Sequence, residues 1–264
     1  PTQSAFWEYF HLNFSSLGLK KLISTHYDRE KPTYKMEYTG GDDNNVKIGV
    51  KTPLEGNGDF RNAECIAILD TADIVVTNPA FSLFIEYIAQ LISHNKKFIV
   101  IGNMNALTYK EIFPLFASNQ LWYGASIHSG DRKFYVPDDY PLQAAGCGID
   151  EDGRRYIRVK GVRWFTNLDY FIRHEPLALQ KQYTPEAYLK YDNCDAINVD
   201  KYADIPCDYN GVMGVPITFM DHYCPDQFEI VAFRKGDDGK DLVLTRNGKR
   251  VQPYFRILIR QKRI

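Results

Sequence analysis

Apolar residues come in blocks along the first half of the chain, and the spacing inside each block predicts the element it forms. Phe6, Phe10, Phe14 and Leu17 recur at helical spacing with Gly18 as a stop, which predicts a helix over 4–17. Residues 21–25 and 34–39 read as short strands, the second running into a Gly-Gly-Asp-Asp-Asn-Asn turn. A short helix over 62–70 precedes the apolar strand Ile74-Val75-Val76. The most regular helix is 82–94, where Ser82 serves as N-cap and positions 83, 84, 87, 88, 91 and 92 form one apolar stripe. Phe98 to Ile101 suits a buried parallel strand, and 109–118 predicts a further helix broken near Pro114. Strands alternating with helices in this way predict an α/β fold, a parallel sheet with helices on both faces.

The pattern changes near residue 145. A Gly/Asp-rich stretch leads into the strand pattern around 155–166, and the chain then becomes richer in Tyr, Asp and Pro. Late strands at 228–233 and 241–245 are joined by the turn at 236–239. A smaller, irregular, β-containing lobe over 146–264 is therefore expected after a first domain over 1–145.

Composition narrows the classes. The 264 residues are 44% hydrophobic, enough for a sizeable core, and no apolar run approaches the roughly 18–20 residues of a membrane span. The five cysteines (65, 147, 194, 207, 224) show no CxxC pair. A reduced, cytoplasmic setting and the absence of a metal site are expected. His94, His128 and His174 have no Ser or Cys partner in a recognisable arrangement, which argues against a hydrolase triad.

Candidate chemistry begins with Thr77-Asn78-Pro79-Ala80-Phe81, between the strand at 74–76 and the helix at 82–94. In open α/β sheets, ligands bind outside the carboxyl ends of strands; the plainer reading is a capped strand-to-helix turn. Some twenty residues upstream lies Gly56-Asn57-Gly58-Asp59-Phe60. There a carboxylate able to accept from an exocyclic amine adjoins an aromatic ring able to pack on a base. The plainer reading is an Asp-capped turn.

Together with Phe98-Ile-Val-Ile-Gly-Asn103, Trp164-Phe-Thr-Asn-Leu-Asp169 and Cys207-Asp-Tyr-Asn-Gly-Val-Met-Gly-Val-Pro-Ile-Thr218, these segments resemble the EcoRI-type adenine-specific DNA methyltransferases over most of the chain. The resemblance implies a Rossmann-like methyltransferase sheet and S-adenosylmethionine as donor, released as S-adenosylhomocysteine. It also implies transfer to adenine N6 of a base flipped out of duplex DNA. Asn78 and Pro79 would accept the N6 hydrogens, and Phe81 would stack on the base. Asp59, Phe60 and Asn78 would hold the cofactor, with Pro1, Ser4 and Tyr27 as further contacts. The resemblance implies a monomer, with a cognate restriction endonuclease that it need not touch.

Two positions depart from the family pattern. Ala80 stands where a second proline is usual, which predicts a looser loop and reduced activity. The strand end that holds the methionine part of the cofactor would fall at or before Pro1, leaving an incomplete N-terminal strand. A catalytically impaired DNA-binding relative is therefore the competing reading; methylation of cytosine N4 or of RNA is a third.

Charge adds a separate line toward DNA. The net charge of -1 gives no global positive field. Residues 234–264, however, hold ten Lys+Arg against three Asp, so the rest of the chain sums to about -8. Arg154, Arg155, Arg158, Lys160 and Arg163 fall together with no acid among them. With Asn105, on a loop after the 98–101 strand, they are the expected DNA contacts.

Overall fold

The N-terminal helix forms, but it is shorter than the predicted 4–17 and its buried stripe is shifted. α1 (Ala5–Leu12) buries Trp7 and His11, and Phe14 follows in the turns that end at Gly18. Leu17, expected inward, is exposed. The cause is polar: the Trp7 indole donates to the Val46 carbonyl at 2.8 Å, and His11 sits between the carbonyls of Asp43 and Ile48. His11 also stacks on Tyr38 at 3.8 Å. Apolar spacing cannot register such partners.

The computed structural model describes residues 4–127, 131–143, 145–234 and 241–262. Pro1 and the turn at 236–239 lie outside the described residues. The chain divides into two compact units, Pro1–Asn78 with Glu86–Phe98, and Pro79–Ile85 with Ile99–Ile264.

In the first unit, β1 (Leu22–Thr25), β2 (Tyr34–Tyr38) and β3 (Val50–Pro53) form an antiparallel sheet in that order. Met36 and Tyr38 pack with Trp7 and Phe14 into its core. α2 (Ala63–Thr71) and β4 (Ile74–Thr77) follow close to the expected places. α3 (Phe84–Ser93) buries Phe84, Ile88 and Leu91, the predicted stripe. Ser82 is not its N-cap. A 3₁₀ turn, Phe81–Leu83, precedes the helix, and Ser82 lies within it, the Leu83 N–H donating to the Ala80 carbonyl at 2.9 Å.

Most of β5 (Lys97–Asn103) belongs to the second unit. A 3₁₀ turn, Met104–Thr108, follows, and the helix predicted over 109–118 is shortened to α4 (Phe113–Ala117), with Pro114 in its first turn, where a missing N–H costs nothing. Then come β6 (Trp122–Tyr123), β7 (Asp131–Tyr135), β8 (Gly148–Ile149), β9 (Arg155–Lys160) and β10 (Val162–Thr166). β10 lies antiparallel between β5 and β6, so those two run the same way. β7, β9 and β8 form a separate sheet in that order, which spans residue 145.

Next are β11 (Ile197–Asn198), β12 (Met213–Pro216), β13 (Phe228–Arg234), β14 (Leu244–Arg246), β15 (Lys249–Val251) and β16 (Arg256–Gln261). β11–β12–β16–β13 is one sheet, with β11 parallel to β12. The expected pairing of the 228–233 and 241–245 strands is not the one found: β13 pairs with β16, and β14 with β15. The missed signal is Asn247-Gly248, both at positive φ (53° and 73°), a two-residue hairpin turn. The chain is thus a mixed α/β structure of several sheets and few helices.

Arg163, expected among the DNA contacts, is instead part of this fold. Its guanidinium is bidentate to Asp221, at 2.7 and 2.8 Å, and also donates to the Val162 carbonyl. Both side chains are buried, at 3% and 5% exposure. Arg163→Met strands the Asp221 carboxylate and is expected to cost about 3–5 kcal/mol in denaturant unfolding. Adding Asp221→Leu should recover most of that. A single variant as stable as the parent would show that the pair does not hold β10 to the Ile217–His222 turn.

Candidate active site

The loop at 54–62 is held by polar contacts, some within it and to Glu64, others to the 28–33 segment and to Gln90. The Glu64 carboxylate accepts from the N–H groups of Glu55 and Gly56 at 2.8 and 2.7 Å, and the Asn57 side chain accepts from Asp59 N–H and from the Asn62 amide. The Asn57 carbonyl accepts from Asp28 N–H at 2.9 Å, which brings the end of β1 beside this loop. Gly58 makes the approach possible: at φ +75°, a Cβ there would stand 2.0 Å from the His26 carbonyl.

Asp59 leaves this loop with its carboxylate held by Arg61, Nε to Oδ1 at 2.9 Å and Nη2 to Oδ2 at 2.7 Å. Arg61 also reaches Glu86 at 3.2 Å. These bonds hold the Asp59 carboxyl below the usual carboxylate range, so it is ionised near neutrality. Asp59 raises the Arg61 pKa in return, and Tyr27 contributes to that rise. The Phe60 ring meets Tyr87 edge-on at 4.8 Å, and burial pushes the Tyr87 hydroxyl up to about 12. Asp59, Phe60 and Tyr27 are therefore gathered on neighbouring loops. Tyr27 is exposed, its ring open to a ligand. Ser4 is the N-cap of α1 and makes no side-chain cap bond; among the described residues no hydrogen bond ties it to this loop.

Asn78 follows β4 directly and is exposed. Pro79 is half-buried and Phe81 is 44% exposed at the start of the 3₁₀ turn. Ala80 has φ -55° and ψ 132°. That φ lies within the range a proline ring imposes, so the turn keeps a proline-like backbone with alanine in place.

Residues 1–262 match the family model described as adenine-specific methyltransferase EcoRI. The chain belongs to this family. It is 47% identical to the type II methyltransferase M.EcoRI of Escherichia coli, over all of this chain and 84% of the relative. It is 35% identical to M.MpnI of Mycoplasma pneumoniae, covering 98% of this chain and 84% of that one. It is 38% identical to M.MgeORF184P of Mycoplasma genitalium, covering 99% and 85%. No solved structure matches it. The family makes the chain an enzyme, an adenine-specific methyltransferase. Among the described residues no group of His, Cys, Asp and Glu is arranged to hold a metal, and no helix is long and apolar enough to cross a membrane.

The expected DNA contacts are placed unequally. Asn105 is exposed beside the β9–β10 turn, because the Asn103 amide donates to the Lys160 carbonyl at 2.9 Å and Met104 N–H to the Gly161 carbonyl. Asn103 also caps the 3₁₀ turn through Asn105 N–H. Arg158 and Lys160 are exposed on β9; Arg154 is held by Asp150 and Asp152, and Arg155 donates to the Tyr140 carbonyl. Four cations of the basic tail are engaged within the fold. Arg246 and Arg256 pair with Asp200, Arg260 with Glu229, and Lys262 donates to the Pro225 carbonyl.

Asp28, not singled out in the sequence, is brought to the same loop as Tyr27, its N–H donating to the Asn57 carbonyl.

Gly58→Ala tests the loop. A positive φ alone costs roughly 1–2 kcal/mol for an L side chain, and the His26 carbonyl leaves no room. The melting temperature should fall by several degrees; an unchanged melt would mean that the His26 segment is free to move away.

Proposed function

We propose that the turn at Asn78-Pro79 is the acceptor site of an enzyme that transfers a methyl group from S-adenosylmethionine to N6 of adenine in duplex DNA. The observation that carries this reading is the exposed Asn78 at the carboxyl end of β4, followed by a turn held in a proline-like backbone. The amine N6 is a weak nucleophile because its lone pair is delocalised into the ring. The Asn78 side-chain oxygen and the Pro79 carbonyl each accept one N6 hydrogen, which favours pyramidalisation and orients the lone pair. Phe81, exposed and one residue beyond Ala80, stacks on a base rotated out of the helix. Alignment and electrostatics, without a covalent intermediate, then supply the rate.

The residues of the 26–28 and 57–61 loops suit a nucleoside. The ionised Asp59 keeps lone pairs beyond those used by Arg61 and accepts from an exocyclic amine. Phe60 offers a ring, and Tyr27 with Asp28 supplies polar groups for a ribose. S-adenosylmethionine supplies an electrophilic methyl on its sulfonium and is released as S-adenosylhomocysteine. In this reading residues 1–145 form a Rossmann-like catalytic part and 146–264 a target-recognition part. The enzyme acts as a monomer in the cytoplasm, and a cognate endonuclease need not touch it.

Tritiated methyl transfer to duplex DNA, with product analysis for N6-methyladenine, tests the reading. Asn78→Ala should lower kcat by about 10²–10³ while leaving DNA affinity intact. Tight DNA binding without transfer by the parent chain would favour the impaired relative, and N4-methylcytosine would redirect the chemistry. Ala80→Pro should be tolerated, stabilise by about 0.4–1 kcal/mol and raise transfer; no gain would mean that the turn is already stiff.

The pH dependence follows from Asp59. Its folded pKa is depressed, so its contribution is present above the ordinary value near 4 and lost as pH falls through the lower folded value. Binding of S-adenosylhomocysteine by calorimetry should show no loss traceable to Asp59 between about pH 8 and pH 5. Asp59→Asn should weaken it at every pH in that window. A binding loss centred near pH 6 would point to another group.

A further inference from the structure

The antiparallel register of β7 with β9 sets Lys133 opposite Arg158 and Tyr135 opposite Tyr156. Because side chains alternate along a strand, Lys133 and Tyr135 share one face with Tyr156, Arg158 and Lys160, and the same register sets Asp131 opposite Lys160. Lys133, Tyr135, Arg158 and Lys160 are exposed on it. The other face carries the half-buried Phe134 and Ile157 together with Arg155. Register thus separates the linear basic cluster into a solvent-facing set and a set engaged in structure, and it adds Lys133, which lies more than twenty positions upstream.

The Lys133–Arg158 pair is the informative one. Like charges directly opposite each other on a sheet are destabilising, and among the described residues neither is in an ion pair. Both instead lie near the same ring, Lys133 Nζ at 4.4 Å and the Arg158 guanidinium at 6.0 Å from the Tyr156 centroid. The ring offsets part of the repulsion, but only an anion would remove it. A row of exposed cations interleaved with tyrosines is complementary to a regularly spaced polyanion.

We propose that this face of the β7–β9–β8 sheet lies on the phosphate backbone of duplex DNA, positioning the substrate without reading its sequence. The proposal rests on the reading of the chain as a DNA methyltransferase and assigns the residues that hold the duplex. Arg154, already paired with Asp150 and Asp152 and stacked over Tyr135 at 4.2 Å, borders the face as a supporting residue.

The test is the salt dependence of duplex binding by the full chain, with one methylatable and one unrelated sequence. The triple variant K133A/R158A/K160A should lose at least tenfold in affinity for both sequences. The slope of log K against log salt should fall by about 0.9 for each phosphate contact removed. Lys133→Glu sets a carboxylate opposite Arg158, and it should raise the melting temperature of the free protein while still weakening DNA binding. A merely structural role would not produce that opposition. Lys47→Ala, an exposed cation elsewhere, controls for net charge and should leave the slope unchanged. Parent-like affinity and slope in the triple variant would overturn the proposal. So would a loss confined to the methylatable sequence, or an equal loss in Lys47→Ala. Failure of the parent to bind any duplex would instead overturn the functional reading itself.

Discussion

Gly102 on β5 has no room for a side chain: a Cβ there would lie 2.5 Å from the Phe84 ring and 2.8 Å from the Phe165 ring. Much of the second unit follows from that contact. Phe84 opens α3, three residues after Phe81, so its burial against Gly102 fixes where the helix starts and hence where the Pro79–Phe81 stretch is presented. Phe165 lies on β10 and meets Phe84 at 4.8 Å and Tyr123 of β6 at 5.2 Å, tying three strands to one aromatic cluster. The next residue along β5, Asn103, reaches the Lys160 carbonyl. The same strand therefore anchors the turn from which β9 departs. Rings worth roughly 1.5–3 kcal/mol each in burial are set on a position where only hydrogen fits.

The polar loop around Asp59 works by a different logic. Few of its side chains are deeply buried, yet the N–H groups of Asp59, Arg61 and Asn62 bond within the loop and those of Glu55 and Gly56 bond to Glu64 at the start of α2. Such a loop is stiff because its bonds are short in sequence and mutually exclusive with other turns. Arg61 completes it by orienting both oxygens of Asp59 while remaining half-exposed. A carboxylate held this way is preorganised to accept a hydrogen bond, at the modest cost of a surface ion pair.

Much of this was legible in the order of residues, and the exceptions share a cause. β1, β2, α2, β4 and β5 fall where alternation and turn residues put them, because each is set by local spacing. The stripe of α1 was misplaced because His11 is buried by carbonyls more than thirty residues away. Ser82 is not a cap because the chain enters α3 through a 3₁₀ turn that begins after Ala80 and contains Ser82. β16, the centre of the largest late sheet, went unread between Phe255 and the C-terminus although Ile257, Leu258 and Ile259 are all buried. Asp59, Phe60, Asn78 and Pro79 stood out in the sequence because their types are chemically distinctive, and the structure places the first two on one loop and the last two directly after β4. Asp28 did not stand out, because only the bond from its N–H to the Asn57 carbonyl brings it to that loop.

Charge was the least reliable guide, and the reason is general. A count of Lys and Arg along the chain does not distinguish a cation that faces solvent from one that replaces water inside the fold. Arg163 is enclosed with Asp221, and Arg173 is buried against the Trp122 ring at 3.8 Å and bonded to Asp169 and Asn119. Arg256 is buried and shares Asp200 with Arg246. In each case the acid partner lies in a different stretch of sequence from the base, or its carboxylate is shared, so a local tally counts the base as free. Of the ten Lys and Arg of residues 234–264, Arg246, Arg256, Arg260 and Lys262 are bonded within the fold, while on β9 Arg158 and Lys160 stay exposed. What attracts a polyanion is the field of the cations that remain unpaired and exposed on one side. Strand register, which sends alternate residues to opposite faces, decides that number more than composition does.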